Sequence, residues 1–169
     1  MSFHRIFLIG FMGTGKSYLG EKLAAALNRN FYDLDCCIEN QTELNVNEIF
    51  QQKGEDYFRR IESEILLSWN KEGVIATGGG VILQKQNRAF LKSEENLVIW
   101  LNPDWNIIRS RIVNSCRPLV LNRSEQELLQ LWDDRRHLYQ ECADLIFAGT
   151  DLRELLEALK SKYKIDASH

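Results

Sequence analysis

The sequence predicts an α/β fold, a parallel sheet wrapped by helices, and three observations carry that prediction. Strand and helix signals alternate along the whole chain. Five short segments read as strands: 4–9, 31–33, 73–76, 96–101 and 144–147. Between the first of these and the first helix lies Gly10–Ser17, G-F-M-G-T-G-K-S, which meets the phosphate-loop pattern G-x-x-x-x-G-K-[ST] at every specified position.

The elements follow in order. Phe3, Ile6, Phe7, Leu8 and Ile9 form an apolar run before the loop, and Tyr18, Leu19, Leu23 and Leu27 follow it at helical spacing. Glycines at 10, 13 and 15 let the backbone wrap closely around an anion, and the new helix adds its positive end. Lys16 can bridge outer phosphates and the Ser17 hydroxyl can ligate a magnesium ion. The chain therefore binds a nucleoside triphosphate. Helices are expected at 16–28, 35–41, 46–53, 55–70, 84–92, 104–112, 124–142 and 151–162. The weakly periodic stretch 113–123 between two of them reads as a lid loop carrying an arginine.

The 169 residues suffice for one well-cored domain over 1–169 and are too few for two. A net charge of −3 and a pI near 5.7 exclude nucleic acid as the main partner. Arginines nevertheless recur at 59, 60, 109, 111, 117, 123, 135 and 136, and some should line an anion site. The four cysteines, Cys36, Cys37, Cys116 and Cys142, contain no C-x-x-C pair and have no histidine at ligand spacing, which excludes a zinc site. Reduced thiols and the absence of a leader or membrane-spanning stretch point to the cytoplasm. His4, His137 and His169 form no constellation.

Beyond the loop, D-L-D at 33–35 ends a strand, so both carboxylates should share one face at the crevice. One can hold magnesium through water and the other can take a hydroxyl proton, while Asp35 also competes as a helix N-cap. Thr77–Gly80, T-G-G-G, places a tightly turning backbone beside a ligand. In G-E-D-Y-F-R-R-I-E (54–62), Phe58, Ile61, Ile65 and Trp69 form a core stripe, and Glu62 can hold Arg59 in one pose. Trp100, Trp105 and Trp132 read as packing residues. On 124–142, Leu128, Leu131, Trp132, Leu138, Tyr139 and Cys142 define an apolar face that contains Arg135. Arg136 is turned about 100° away. A charge in an apolar stripe needs a partner, and a ligand carboxylate is the candidate.

These motifs, in this order across about residues 4–150, resemble the shikimate kinase family. That family joins a phosphate loop, D-x-D, G-E-x-x-F-R-x-x-E, T-G-G-G, an R-P-L lid (here Arg117–Leu119) and R-x-x-L-Y (here Arg135–Tyr139). The resemblance implies a P-loop NTPase fold of the nucleoside-monophosphate-kinase kind, with a five-stranded parallel sheet flanked by helices, a small lid and acceptor-binding helices over about 35–70. It implies ATP-dependent phosphorylation of the 3-hydroxyl of shikimate, within aromatic amino-acid biosynthesis; a monomer is expected. Gly13, Thr14, Gly15, Lys16, Ser17 and Tyr18 would then hold the phosphates, with Ser17 and Asp33 serving magnesium. Asp35 would activate the attacking hydroxyl, and Arg59 and Arg135 would grip the shikimate carboxylate. Gly79 and Gly80 would close the pocket, and Arg117 would stabilise the transferring phosphoryl group.

Two positions depart from the family pattern. Tyr18 stands where a threonine is usual, and Ser110 where an arginine often precedes the lid, which leaves Arg109, Arg111 or Arg153 to cover adenine. A gluconate-type kinase shares loop and fold but uses no R-x-x-L-Y arginine. A GTPase switch needs D-x-x-G and N-K-x-D, and neither occurs; Asn70-Lys71 continues as Glu72-Gly73. A non-catalytic nucleotide-binding module has no need of both Asp33 and Asp35.

Overall fold

All five strands lie parallel in one sheet of order β2-β3-β1-β4-β5. The structure, a computed structural model, describes residues 3–113 and 115–165. The strands are β1 (Arg5–Ile9), β2 (Phe31–Asp33), β3 (Gly73–Ala76), β4 (Asn96–Leu101) and β5 (Leu145–Phe147). The helices are α1 (Lys16–Ala26), α2 (Leu34–Thr42), α3 (Val46–Gln52), α4 (Glu55–Leu67), α5 (Lys85–Leu91), α6 (Trp105–Ile112), α7 (Pro118–Leu121), α8 (Glu125–Cys142) and α9 (Leu152–Tyr163).

Strand alternation divides the core in two. Ile6 and Leu8 of β1, with Leu97, Ile99 and Leu101 of β4, pack beneath Leu19 and Leu23 of α1 and Leu155 and Leu159 of α9. Phe7 and Ile9, with Val98 and Trp100, face Leu66 of α4, Ile108 of α6 and Tyr139 of α8. Both faces of the central strands are thus covered, as parallel sheets require. A smaller cluster, Ile38, Ile49, Phe58 and Ile61, ties α2, α3 and α4 into one unit. Trp100 stacks on Tyr139, and Trp105 packs at a tilt against Trp132, so these tryptophans are packing residues.

The strand order reverses at β1, whose neighbours β3 and β4 lie on opposite sides. Parallel α/β sheets bind ligands at the carboxyl ends of strands at such a reversal. The phosphate loop leaves β1 there. In stretch 113–123, of which Asn114 lies outside the described residues, the chain is not a plain loop. Arg117 caps α7 with Pro118 at its first position, where the missing N–H and fixed φ start a turn without loss. Leu119 and Val120 then pack against the core. His169 lies outside the described residues, His137 is exposed, and His4 pairs with Glu72 at 2.9 Å.

Candidate active site

Five helices, α2, α3, α6, α8 and α9, are capped by side chains, namely Asp33, Asn45, Asp104, Ser124 and Asp151. Helix α1 is not. Its N-cap is Gly15 at φ 92°, and no acidic residue sits in its first turn. The uncapped N–H groups and the helix dipole are left for an anion. They border a cavity of about 360 Å³ lined by Gly13, Thr14, Gly15, Lys16, Ser17 and Tyr18 together with Asp33, Asp35, Thr77, Arg111, Arg117 and Thr150. Lys16 lies folded against its own loop, its Nζ donating to the carbonyls of Gly10 at 2.8 Å and Phe11 at 2.9 Å. Burial, and next the charge of Arg117, bring its pKa down to about 8.

Strand β2 stops at Asp33, and this corrects the expectation that both carboxylates of D-L-D lie on extended chain. Asp33, not Asp35, is the N-cap, its Oδ1 accepting from Asp35 N at 3.0 Å. Its Oδ2 accepts from Ser17 Oγ at 2.5 Å. Asp35 enters the first turn of α2 and still faces the crevice, lining the nucleotide cavity. Its Oδ1 is buried with no hydrogen-bond partner among the described residues. Burial, reinforced by Asp33, raises its pKa above the usual carboxylate range, against the pull of Lys16, Arg117 and Arg59.

A second cavity, of about 380 Å³, is lined by Asp35, Arg59, Gly80, Arg117 and Arg135 with the rings of Phe50 and Phe58. Arg59 donates to Glu62 at 2.8 Å and to Glu55 at 3.2 Å. Burial works against its charge, but the two carboxylates outweigh burial and hold its pKa above the ordinary value. Glu62 is itself buried, and that desolvation lifts its carboxyl despite Arg59. The glycine turn makes these contacts possible. A Cβ on Gly80 would stand 2.4 Å from Arg59 Cζ, and one on Gly78 would stand 2.2 Å from Glu62 Oε1. The Tyr139 hydroxyl donates to the Gly79 carbonyl and fixes the turn from below.

Arg135 is 5% exposed, and its Nε and Nη1 have no hydrogen-bond partner among the described residues. Its guanidinium lies 5.9 Å from the Phe11 ring centre. Burial lowers its pKa. Arg136 is exposed, stacks on Trp132 at 4.9 Å and pairs with Asp133 at 3.6 Å.

The adenine candidates separate as well. Arg111 lines the nucleotide cavity and donates to Gly13 O at 3.1 Å, whereas Arg109 is tied to Glu125 at 2.6 Å. Arg153 is exposed near the start of α9 and does not line that cavity; Thr150, which the sequence did not single out, does. The two cavities share three residues: Asp35, Gly79 and Arg117.

An open phosphate loop at the sheet's reversal point, joined through a carboxylate and an arginine to a second pocket, defines a P-loop kinase acting on a small molecule. A family model described as shikimate kinase matches residues 12–164, and the chain belongs to that family. A shikimate kinase of Alkaliphilus oremlandii is 42% identical over 164 residues, covering 92% of this chain and 94% of that protein. One from Dictyoglomus turgidum is 39% identical over 145 residues, with coverages of 82% and 83%. Among solved structures, a shikimate kinase from Acinetobacter baumannii in complex with shikimate matches with a TM-score of 0.87 at 32% identity over 96% of each chain.

Proposed function

We propose that the chain transfers the γ-phosphoryl group of ATP to the 3-hydroxyl of shikimate, giving shikimate 3-phosphate and ADP within aromatic amino-acid biosynthesis. The observation that carries this reading is the meeting of two cavities at Asp35, Gly79 and Arg117. A donor in one and an acceptor in the other touch only there.

Gly13 to Tyr18 cradle the phosphates through main-chain N–H groups, and Lys16 exchanges its two carbonyl partners for phosphate oxygens. The adjoining oxygens of Ser17 and Asp33 suit a hard cation, so Ser17 would ligate magnesium directly and Asp33 through water. When bound, magnesium neutralises phosphate charge. Asp35, whose burial strengthens it as a base, takes the proton as the shikimate oxygen bonds to the γ-phosphorus and the bridging bond to ADP breaks.

Arg135 meets the shikimate carboxylate with unpartnered donors, and Arg59, held by Glu55 and Glu62, presents a fixed charge beside it. Gly79 and Gly80 bring backbone against the ring. Segment 113–123 acts as the lid, with Arg117 stabilising the moving phosphoryl group. Of the adenine candidates Arg111 is favoured, because it lines the nucleotide cavity. A monomer is the expected state, and no described helix is long and apolar enough to cross a membrane. Cytoplasmic residence fits the thiols.

A coupled assay with ATP, magnesium and shikimate tests the reading. ADP should form in step with shikimate 3-phosphate, and gluconate should give none. Folded protein that binds ATP yet forms no ADP with shikimate would overturn it.

A further inference from the structure

Two groups of different chemistry line the acceptor cavity from separate parts of the chain: Arg135 on α8, and Cys116 just before α7. Arg135 is 5% exposed and keeps Nε and Nη1 without partners, so the wall of this cavity has an unmet demand for an anion. Cys116 is a free, exposed thiol beside Arg117, the residue that lines both cavities. None of the other three cysteines lines the acceptor cavity.

In those three the surroundings also disfavour the thiolate, which is the reactive form. Burial, and after it the charge of Glu141, push Cys142 up to about 11. Cys36 is raised by burial and then by the carboxylates of Asp33, Glu39 and Asp35, which also repel an anionic reagent. Cys37 is raised by burial against the opposing charge of Lys71.

We infer that the acceptor cavity is a covalent capture site for small electrophiles that carry a carboxylate, with Arg135 holding the carboxylate and Cys116 forming the bond. The inference rests on the acceptor cavity being a carboxylate site, as proposed above. A maleimide illustrates the step. The Cys116 sulfur adds to one alkene carbon as the π bond breaks, and the neighbouring carbon takes a proton from water. Nothing leaves. A cavity of about 380 Å³ accommodates a small ring acid of this kind.

The test compares N-(2-carboxyethyl)maleimide with the uncharged N-ethylmaleimide, each rate divided by that reagent's rate with free cysteine. Intact mass gives the rate and peptide mapping gives the site. The wild-type chain should prefer the carboxylate reagent by ~10-fold or more, the scale of one charge-assisted hydrogen bond. The adduct should sit on Cys116, and saturating shikimate should slow it. Arg135→Met should bring the normalised preference close to unity, and Cys116→Ser should take up no reagent at the wild-type rate. Shikimate protection reads the same contact without any variant. Equal normalised rates in the wild type, or a first adduct on Cys36, Cys37 or Cys142, would overturn the inference. The preference is read without ATP or turnover. Its absence in a chain that phosphorylates shikimate removes the capture site alone, and its presence without turnover removes the kinase reading alone.

Discussion

The donor cavity is built mainly around one contiguous run, Gly13–Leu19, whereas the acceptor cavity is built from α2, α3, α4 and α8, the segment 116–119 and the glycine turn. The difference shows in how each half keeps its charges. The loop stores its cation against its own carbonyls, where Lys16 rests on Gly10 and Phe11. The acceptor half splits the task between two arginines, one locked by Glu55 and Glu62 and one left open. A main-chain anion site needs only glycine in the right places. A side-chain site needs several helices in the right phase.

The largest expected effect lies where the halves join. Asp35→Asn preserves size and removes basicity, so kcat should fall by ~10²–10⁴-fold while ATP affinity holds. The amide cannot be replaced by the nearby Asp33, which is committed to the cap and to Ser17. A loss of under about threefold in single-turnover experiments would move the base elsewhere.

Legibility in the sequence followed the same division. The loop was readable outright because eight consecutive residues define it. The strands fell within a residue of their places because each is an apolar run between turn signals. Arg135 could be told from Arg136 because an 18-residue helix fixes its own phase. Asp33 and Asp35 were misread as sharing a strand, since a three-residue strand gives no alternation to show where it stops. The choice among Arg109, Arg111 and Arg153 depended on how α6 sits against the loop, which is tertiary information. Gly78 hid its reason for being glycine because Glu62, which occupies the space a Cβ would take, is distant in sequence.

A smaller effect should follow from Gly80→Ala, which perturbs the acceptor half alone. The new methyl would fall 2.4 Å from Arg59 Cζ and must displace the guanidinium. Overpacking of this kind costs about 1–3 kcal/mol. The shikimate KM should rise by ~10-fold or more with the ATP KM unchanged. Equal rises in both would show that the halves are not separable.

The mildest effect concerns pH and belongs to the donor half. Lys16 titrates at about 8 in the folded chain against 10.5 for a free lysine. Below pH 8 the folded state carries the cost of its buried charge, and that cost fades as pH rises toward 10.5. Phosphate binding requires the charged form, so ATP binding should take up a proton above pH 8. Between pH 8 and 9 the ATP Kd should rise, by at most ~10-fold per unit. Lys16→Arg, charged throughout, should flatten the profile. An ATP Kd as tight at pH 9 as at pH 7 in the wild type would contradict the lowered pKa.

The open arginine is the feature on which the acceptor reading stands, and a calorimetric titration with shikimate tests it most directly. Arg135→Ala should weaken shikimate binding by at least ~2 kcal/mol, a charge-assisted bond's worth, with ATP affinity little changed. Arg136→Ala, which removes an exposed side chain already paired with Asp133, should stay within about 0.5 kcal/mol of the wild type. A larger loss from Arg136→Ala than from Arg135→Ala would contradict the account, because the carboxylate would then lie outside the cavity that Arg135 lines.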